Sequence, residues 1–209
     1  MSIQDKFDEH FPNLKVREGH MLLTDITVEA FTSIFDTIAP KKILEIGFNA
    51  GHSAFCFLEV LPETVVHSLD LGRHNYTRPC AQKLKSIFGE RFKFGIKDSH
   101  HLIPDNIIGE NYDMVYIDGD HSIEGIMNDY DLCNKAEIEW ILIDDVNLFR
   151  HIRALVNHVH TSSHHPYRIA ATLQFDNNQL IKNPQAEIND RMTTAMLLQR
   201  TGTTDENVQ

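Results

Sequence analysis

Two short acidic runs concentrate the chemistry of this chain. Asp118-Gly119-Asp120-His121 follows the apolar run 113–117 (DMVYI), and Asp144-Asp145 follows the apolar run 139–143 (EWILI). Carboxylates gathered in one place repel one another, so they require a cation or shifted pKa values. Oxygen donors alone select a hard cation, Mg2+ first, with some of its waters retained. Two further acids are placed in the same way: Asp70 ends the run 65–69, and Asp98, with Ser99 beside it, lies just past the run 92–96. Glu45 is different. It lies inside the run Ile43-Leu44-Glu45-Ile46, where it can satisfy nearby backbone donors, and that run leads into the turn Gly47-Phe48-Asn49-Ala50-Gly51. An amphipathic segment beginning near His52-Ser53 follows the turn. A strand, a glycine turn and a helix in that order present backbone N–H groups and a helix N-terminus to a bound ligand.

The elements that position these residues follow a regular rhythm. Residues 24–39 carry apolar side chains at a near-3.6 period, which predicts a helix capped at Thr24 or Asp25 and stopped by Pro40. Strands are expected at 43–46, 65–69, 92–96, 113–117 and 139–143. Helices are expected at 76–88, 121–135 and 147–160, with a short helical or irregular connection at 101–108. Alternating strands and helices predict a parallel sheet covered on both faces. The run 167–175 and the run 179–182, separated by Asp176-Asn177-Asn178, predict an antiparallel hairpin at the end of the sheet. Residues 185–200 are expected to form a last helix.

The fold class is therefore α/β: a Rossmann-like, doubly wound sheet of seven strands, mostly parallel, closed by a C-terminal antiparallel hairpin. A helical lead-in spans 1–40, the main unit 41–184, and a C-terminal helix and tail 185–209, all within one domain. In open parallel sheets ligands bind beyond the carboxyl ends of the strands. The strand-end acids thus share one rim with the glycine turn. Taken singly, each could instead cap the helix that follows it.

Composition narrows the function. The net charge of -11 and the lack of a Lys/Arg cluster argue against a nucleic-acid partner and favour a small molecule. No apolar run reaches a membrane span, and the polar, acid-bearing start is no secretory signal. Cys56, Cys80 and Cys133 show no CxxC spacing and read as reduced thiols, so a cytoplasmic protein is expected. The tract His158, His160, His164 and His165 has no zinc spacing and reads as a solvated helix end. Trp140 and Tyr116 fall inside strands and read as core. Met192, Met196, Leu197 and Leu198 give the last helix an apolar stripe, for core packing or a homodimer contact.

Asp70 follows Gly47 by about twenty residues, where a carboxylate can accept both hydroxyls of a ribose. That implies a cofactor containing adenosine. A nicotinamide enzyme would carry GxGxxG, whereas this turn is GxxxG with bulky Phe48 at the second position. The ordered set EIGFNAGHS, Asp70, Asp98-Ser99 and YIDGDHS at 116–122, with the closing hairpin, resembles the class I S-adenosylmethionine-dependent methyltransferases. It is most similar to the small metal-dependent O-methyltransferases with an IDGDH motif, of the family 24 kind, over roughly residues 20–182.

The resemblance implies roles. Glu45, Gly47, Phe48, Asn49, Gly51 and Ser53 would surround the methionine part of S-adenosylmethionine, Asp70 would hold the ribose, and Asp98 and Ser99 would flank the adenine. Gly19-His20-Met21 and Thr24 resemble the segment that closes over the cofactor. Asp118, Asp144 and Asp145 match the positions that hold a divalent metal, Mg2+ here, unless Asp118 serves the cofactor instead. His121 occupies the place of a lysine base and would take the proton from a hydroxyl acceptor; its plainer reading is a helix-opening residue bonded to an acid. The activity implied is O-methylation of a small molecule, sugar- or phenol-like. The rivals are a protein that binds the cofactor without catalysis and an NAD-type oxidoreductase.

Overall fold

Five short apolar runs pair side by side as parallel strands. They are β1 (Lys42–Ile46), β2 (Val65–Asp70), β3 (Phe92–Ile96), β4 (Met114–Ile117) and β5 (Trp140–Ile143). The computed structural model describes residues 1–17, 20–146, 152, 154, 155, 159, 165–176, 179–183 and 193–201. Three antiparallel strands complete the sheet: β6 (Tyr167–Asp176), β7 (Gln179–Asn183) and β8 (Thr193–Arg200). The order is β3-β2-β1-β4-β5-β8-β6-β7. This is the expected Rossmann-like, mostly parallel sheet with antiparallel C-terminal strands.

One element differs from expectation. The segment read as a last helix is strand β8 over Thr193–Arg200, so among the described residues the sheet has eight strands. The physical reason is position. β8 lies between β5 and β6, and Ala195, Met196, Leu197 and Leu198 are all buried. A strand covered on both faces reads as a continuous apolar run, which periodicity alone does not separate from a buried helix. The expected helix over 147–160 lies mostly outside the described residues, although Ile152, Leu155 and Val159 are buried in the core. Gly19, Asn177, Asn178, His158, His160, His164, Met192 and the tail after Thr201 also lie outside them.

The strands send alternate side chains to two apolar layers. Ile43, Met114, Tyr116 and Leu142 face one cluster, and Leu44, Val115, Ile117, Ile141 and Ile143 face the other. The first layer is covered by α2 (Asp25–Ile38), α3 (His52–Val60) and α4 (Thr77–Phe88), through residues such as Phe31, Phe35, Phe57 and Leu84. The second is covered by α5 (Pro104–Ile108) and α6 (Ile123–Lys135), through Ile107, Ile126, Tyr130 and Cys133. Thr24 caps α2 by accepting the Thr27 N–H, as read from the sequence. α1 (Ile3–His10) is closed at its start by a Ser2/Asp5 capping box and packs on α3, with Phe7 stacked on His52 at 4.1 Å. All three cysteines are free and buried. Among the described residues no helix is long and apolar enough to cross a membrane.

Candidate functional site

The carboxyl ends of the parallel strands open into a cavity of ≈ 1020 Å³. Its floor is the turn after β1. Gly47 has φ +100°, and a Cβ there would lie 2.0 Å from the Asp118 carbonyl oxygen, so only glycine lets the β1 turn meet the β4 loop. Asn49 is also left-handed, at φ 49°. Asp70 holds this turn from the neighbouring strand: its Oδ2 accepts the N–H groups of Phe48 (3.1 Å) and Asn49 (2.8 Å), and its Oδ1 accepts that of Gly72 (2.6 Å). A carboxylate offers about four acceptor positions, so Oδ1 retains one for a ligand hydroxyl. Asn49 Oδ1 in turn accepts from the Tyr76 hydroxyl at 2.8 Å.

Gly47, Phe48, Asn49, Ser53 and Asp70 line the cavity; Glu45 and Gly51 do not. Glu45 is completely buried beneath it, accepting from the hydroxyls of Ser53 (2.5 Å) and Ser68. Burial pushes its carboxyl up to about 8, against the two serine hydrogen bonds. Gly51 begins α3 at φ +84°, and a Cβ there would run into the Phe48 ring at 2.6 Å. Phe48 therefore fills the space under the turn, against Phe94 at 5.0 Å between ring centroids.

Beyond β3, Asp98 and Ser99 both line the cavity. Asp98 also caps the single 3-10 turn Ser99–His101 by accepting the His100 N–H at 3.0 Å. The plain capping role and a place in the cavity thus coexist in this residue.

The β4 and β5 loops form the acidic end. Because β4 and β5 are paired neighbours, Asp118 and Asp144 are brought together, and the Asp144 N–H bonds to the Ile117 carbonyl at 3.1 Å. His121 Nε2 lies 3.5 Å from Asp118 Oδ1 and 3.8 Å from Asp145 Oδ2. Asp118, His121 and Asp145 offer ligand atoms within 4.8 Å of one another. Asp144 is turned aside: its carboxylate accepts from the Tyr116 hydroxyl and from the Asp145 N–H at 2.8 Å. Tyr116 is core, as read, yet its hydroxyl reaches the site.

All three carboxyls are pushed above their usual range. For Asp118 and Asp144 the causes are burial and then neighbouring carboxylates, and Asp144 rises to about 7; for Asp145 the cause is burial, partly relieved by His121. Burial works against a charge on His121, but its bond to Asp118 and the charges of Asp118, Asp145 and Asp144 outweigh that and raise its pKa. The arrangement favours taking up positive charge, whether a proton on the imidazole or a cation among the oxygens.

His20, Met21 and Leu22, the start of α2, Leu173 of β6 and Ala195 of β8 also line the cavity. His20 stacks on His52 at 4.3 Å, and Phe7 stacks on the same imidazole, so the lead-in is pinned to the first turn of α3. His52, Leu173 and Ala195 were not singled out from the sequence. His52 carried a signal, being the first residue after the glycine turn, whereas Leu173 and Ala195 reach the cavity only because β8 enters the sheet.

Residues 44–146 match the family model described as a methyltransferase domain. No curated protein matches the chain. Solved structures with a similar fold include an O-methyltransferase from Bacillus cereus in complex with SAH, 12% identical, with a TM-score of 0.59 over 95% of this chain and 90% of that one. A SAH-bound methyltransferase from Podospora anserina is 12% identical, with a TM-score of 0.64 over 95% and 87%. The O-methyltransferase TomG from Streptomyces achromogenes, involved in tomaymycin synthesis and solved in complex with SAM, is 14% identical, with a TM-score of 0.57 over 97% and 100%. The resemblance read from the ordered motifs is borne out.

Proposed function

For a chain whose residues 44–146 match a methyltransferase domain, we propose transfer of a methyl group from S-adenosylmethionine to a hydroxyl of a small molecule, assisted by a divalent cation. The observation that carries this reading is that one cavity gathers the Gly47–Asn49 turn, Asp70, Ser99 and the acidic end at Asp118, His121 and Asp145. The turn and Ser53 hold the methionine portion, Asp70 the ribose, and Asp98 with Ser99 the adenine. The solved neighbours with SAH or SAM bound support that choice of cofactor.

At the acidic end His121 does the proton work. S-adenosylmethionine, when bound, would supply the methyl group and keep the sulfur's electron pair, and His121 Nε2 would take the proton that the acceptor hydroxyl gives up. Asp118 and Asp145, within ion-pair range of that nitrogen, stabilise the imidazolium formed. The three raised carboxyls fit a cation, because each loses an unfavourable interaction when one binds. Asp118 and Asp145 would hold it, with Asp144 beside them, and an oxygen-rich set of this kind suits Mg2+. When bound, the ion lowers the pKa of a hydroxyl and orients it.

The cavity also has apolar lining, with Met21, Leu22, Ile26, Phe31 and Leu173. An acceptor with an apolar body, phenol-like rather than sugar-like, suits it best. The test is methyl transfer from labelled S-adenosylmethionine to a panel of catechols, phenols and sugar alcohols, with and without EDTA. Labelled product that disappears with EDTA and returns with Mg2+ is expected. A panel that stays unlabelled at millimolar acceptor contradicts the proposal.

A further inference from the structure

The face of α6 that packs on the sheet carries Gly125, Ile126, Asp129, Tyr130, Leu132 and Cys133. Asp129 is the one acid in that stripe, and it is completely buried. Neither of its oxygens has a hydrogen-bond partner among the described residues. An isolated buried carboxylate is costly, and a residue that packed would serve the helix better. Its surroundings explain why it stands there. Its Oδ2 lies under Gly119, where an added Cβ would come within 3.7 Å of it. The Ser99 and Asn128 side chains lie near enough to lower its pKa, as does His100, while Asp120 raises it. Burial is the largest influence and pushes the carboxyl up to about 6, so it remains mostly ionised at neutral pH. Asp129 thus sits behind the two loops that border the cavity between Ser99 and Gly119, and it does not line the cavity itself.

We propose that Asp129 is a positioning residue for the purine end of the cofactor cavity, acting through Ser99. The inference rests on the proposed use of an adenosine cofactor. An ionised carboxylate is only an acceptor, whereas a serine hydroxyl has one proton and two lone pairs. A small rotation of Ser99 lets its proton go to Asp129, and the Ser99 oxygen then offers only lone pairs to the cavity. Such an oxygen accepts from the 6-amino group of adenine and is repelled by the 6-oxo group of hypoxanthine. The pair therefore selects a 6-aminopurine, because a site built around one hydrogen-bond polarity rejects the ligand with the opposite one. In Asp129→Asn the amide can donate to Ser99, which frees the serine proton and erases the preference.

The test is calorimetry of S-adenosylhomocysteine and S-inosylhomocysteine binding to the wild-type chain, Asp129→Asn, Ser99→Ala and the double variant, with thermal unfolding as a check on folding. The wild type is expected to prefer the adenine ligand by about tenfold or more, the size of one well-placed hydrogen bond. Each single variant is expected to lose most of that preference, and the double variant no more than either alone, since the residues act as one unit. Folded variants with the wild-type ratio overturn the inference while leaving the cofactor reading intact. Single losses that multiply in the double variant also overturn it. If Asp129→Asn does not fold, Ser99→Ala decides: an unchanged ratio overturns the inference. A wild-type chain that binds neither ligand overturns the inference and the cofactor reading together.

Discussion

The two halves of the cavity rim are built on opposite electrostatic plans. Around β1 and β2 each acid has its donors: Asp70 takes three backbone N–H groups, and Glu45 takes two serine hydroxyls. Around β4 and β5 neighbouring carboxylates add to burial in raising Asp118 and Asp144, and burial raises Asp145, whereas Glu45 is raised chiefly by burial. The first half is preorganised, with its turn fixed before any ligand arrives, so binding there pays little ordering entropy. The second half is poised to gain from positive charge, which a cation or a proton taken from the acceptor supplies. On the proposed function, one half holds the cofactor and the other serves the reaction.

If that division is correct, His121→Ala acts on the reactive half alone. A loss of roughly 10²–10⁴ in turnover is expected, with S-adenosylmethionine affinity within a few-fold of wild type by calorimetry. Unchanged turnover would leave His121 as no more than a helix-opening residue. Gly47→Ala tests the joint between the halves, since the added Cβ meets the Asp118 carbonyl oxygen at 2.0 Å. It should destabilise the fold by about 1–3 kcal/mol from overpacking, with strain at positive φ in addition. Chemical denaturation reads this, and a wild-type midpoint would mean that the turn and the β4 loop are not locked together.

A third effect, read per pH unit, separates the halves by pH. Glu45 is raised to about 8 in the fold, against 4.5 for the free side chain. The folded state therefore holds the proton more tightly. Its contribution to stability is fully present below about pH 4.5 and is lost as pH rises through about 8, with a slope of at most about 1.4 kcal/mol per pH unit. In Glu45→Gln that slope should flatten between pH 5 and 8. Parallel curves for the two proteins would show that Glu45 is ionised throughout.

Much of the holding half was legible in the sequence. Gly47 and Asp70 lie in one strand–turn–helix–strand pattern, and the β1–β2 pairing follows from it. Less of the reactive half could be read. The ordered acids mark its location, but nothing in the sequence says that the Asp144 carboxylate accepts from Tyr116 on β4, because that contact crosses from one strand to the next. The segment of β8 reads as a helix because a doubly buried strand loses its alternation. Asp129 has a signal in the sequence, since the helical spacing of Ile126, Asp129, Tyr130 and Cys133 puts an acid on an apolar face.

Titration of S-adenosylmethionine into the metal-free wild-type chain tests the central claim most directly, because the holding half should need neither cation nor acceptor. Saturable binding at one site per chain in EDTA is the predicted result. The absence of binding at millimolar S-adenosylmethionine would contradict the account.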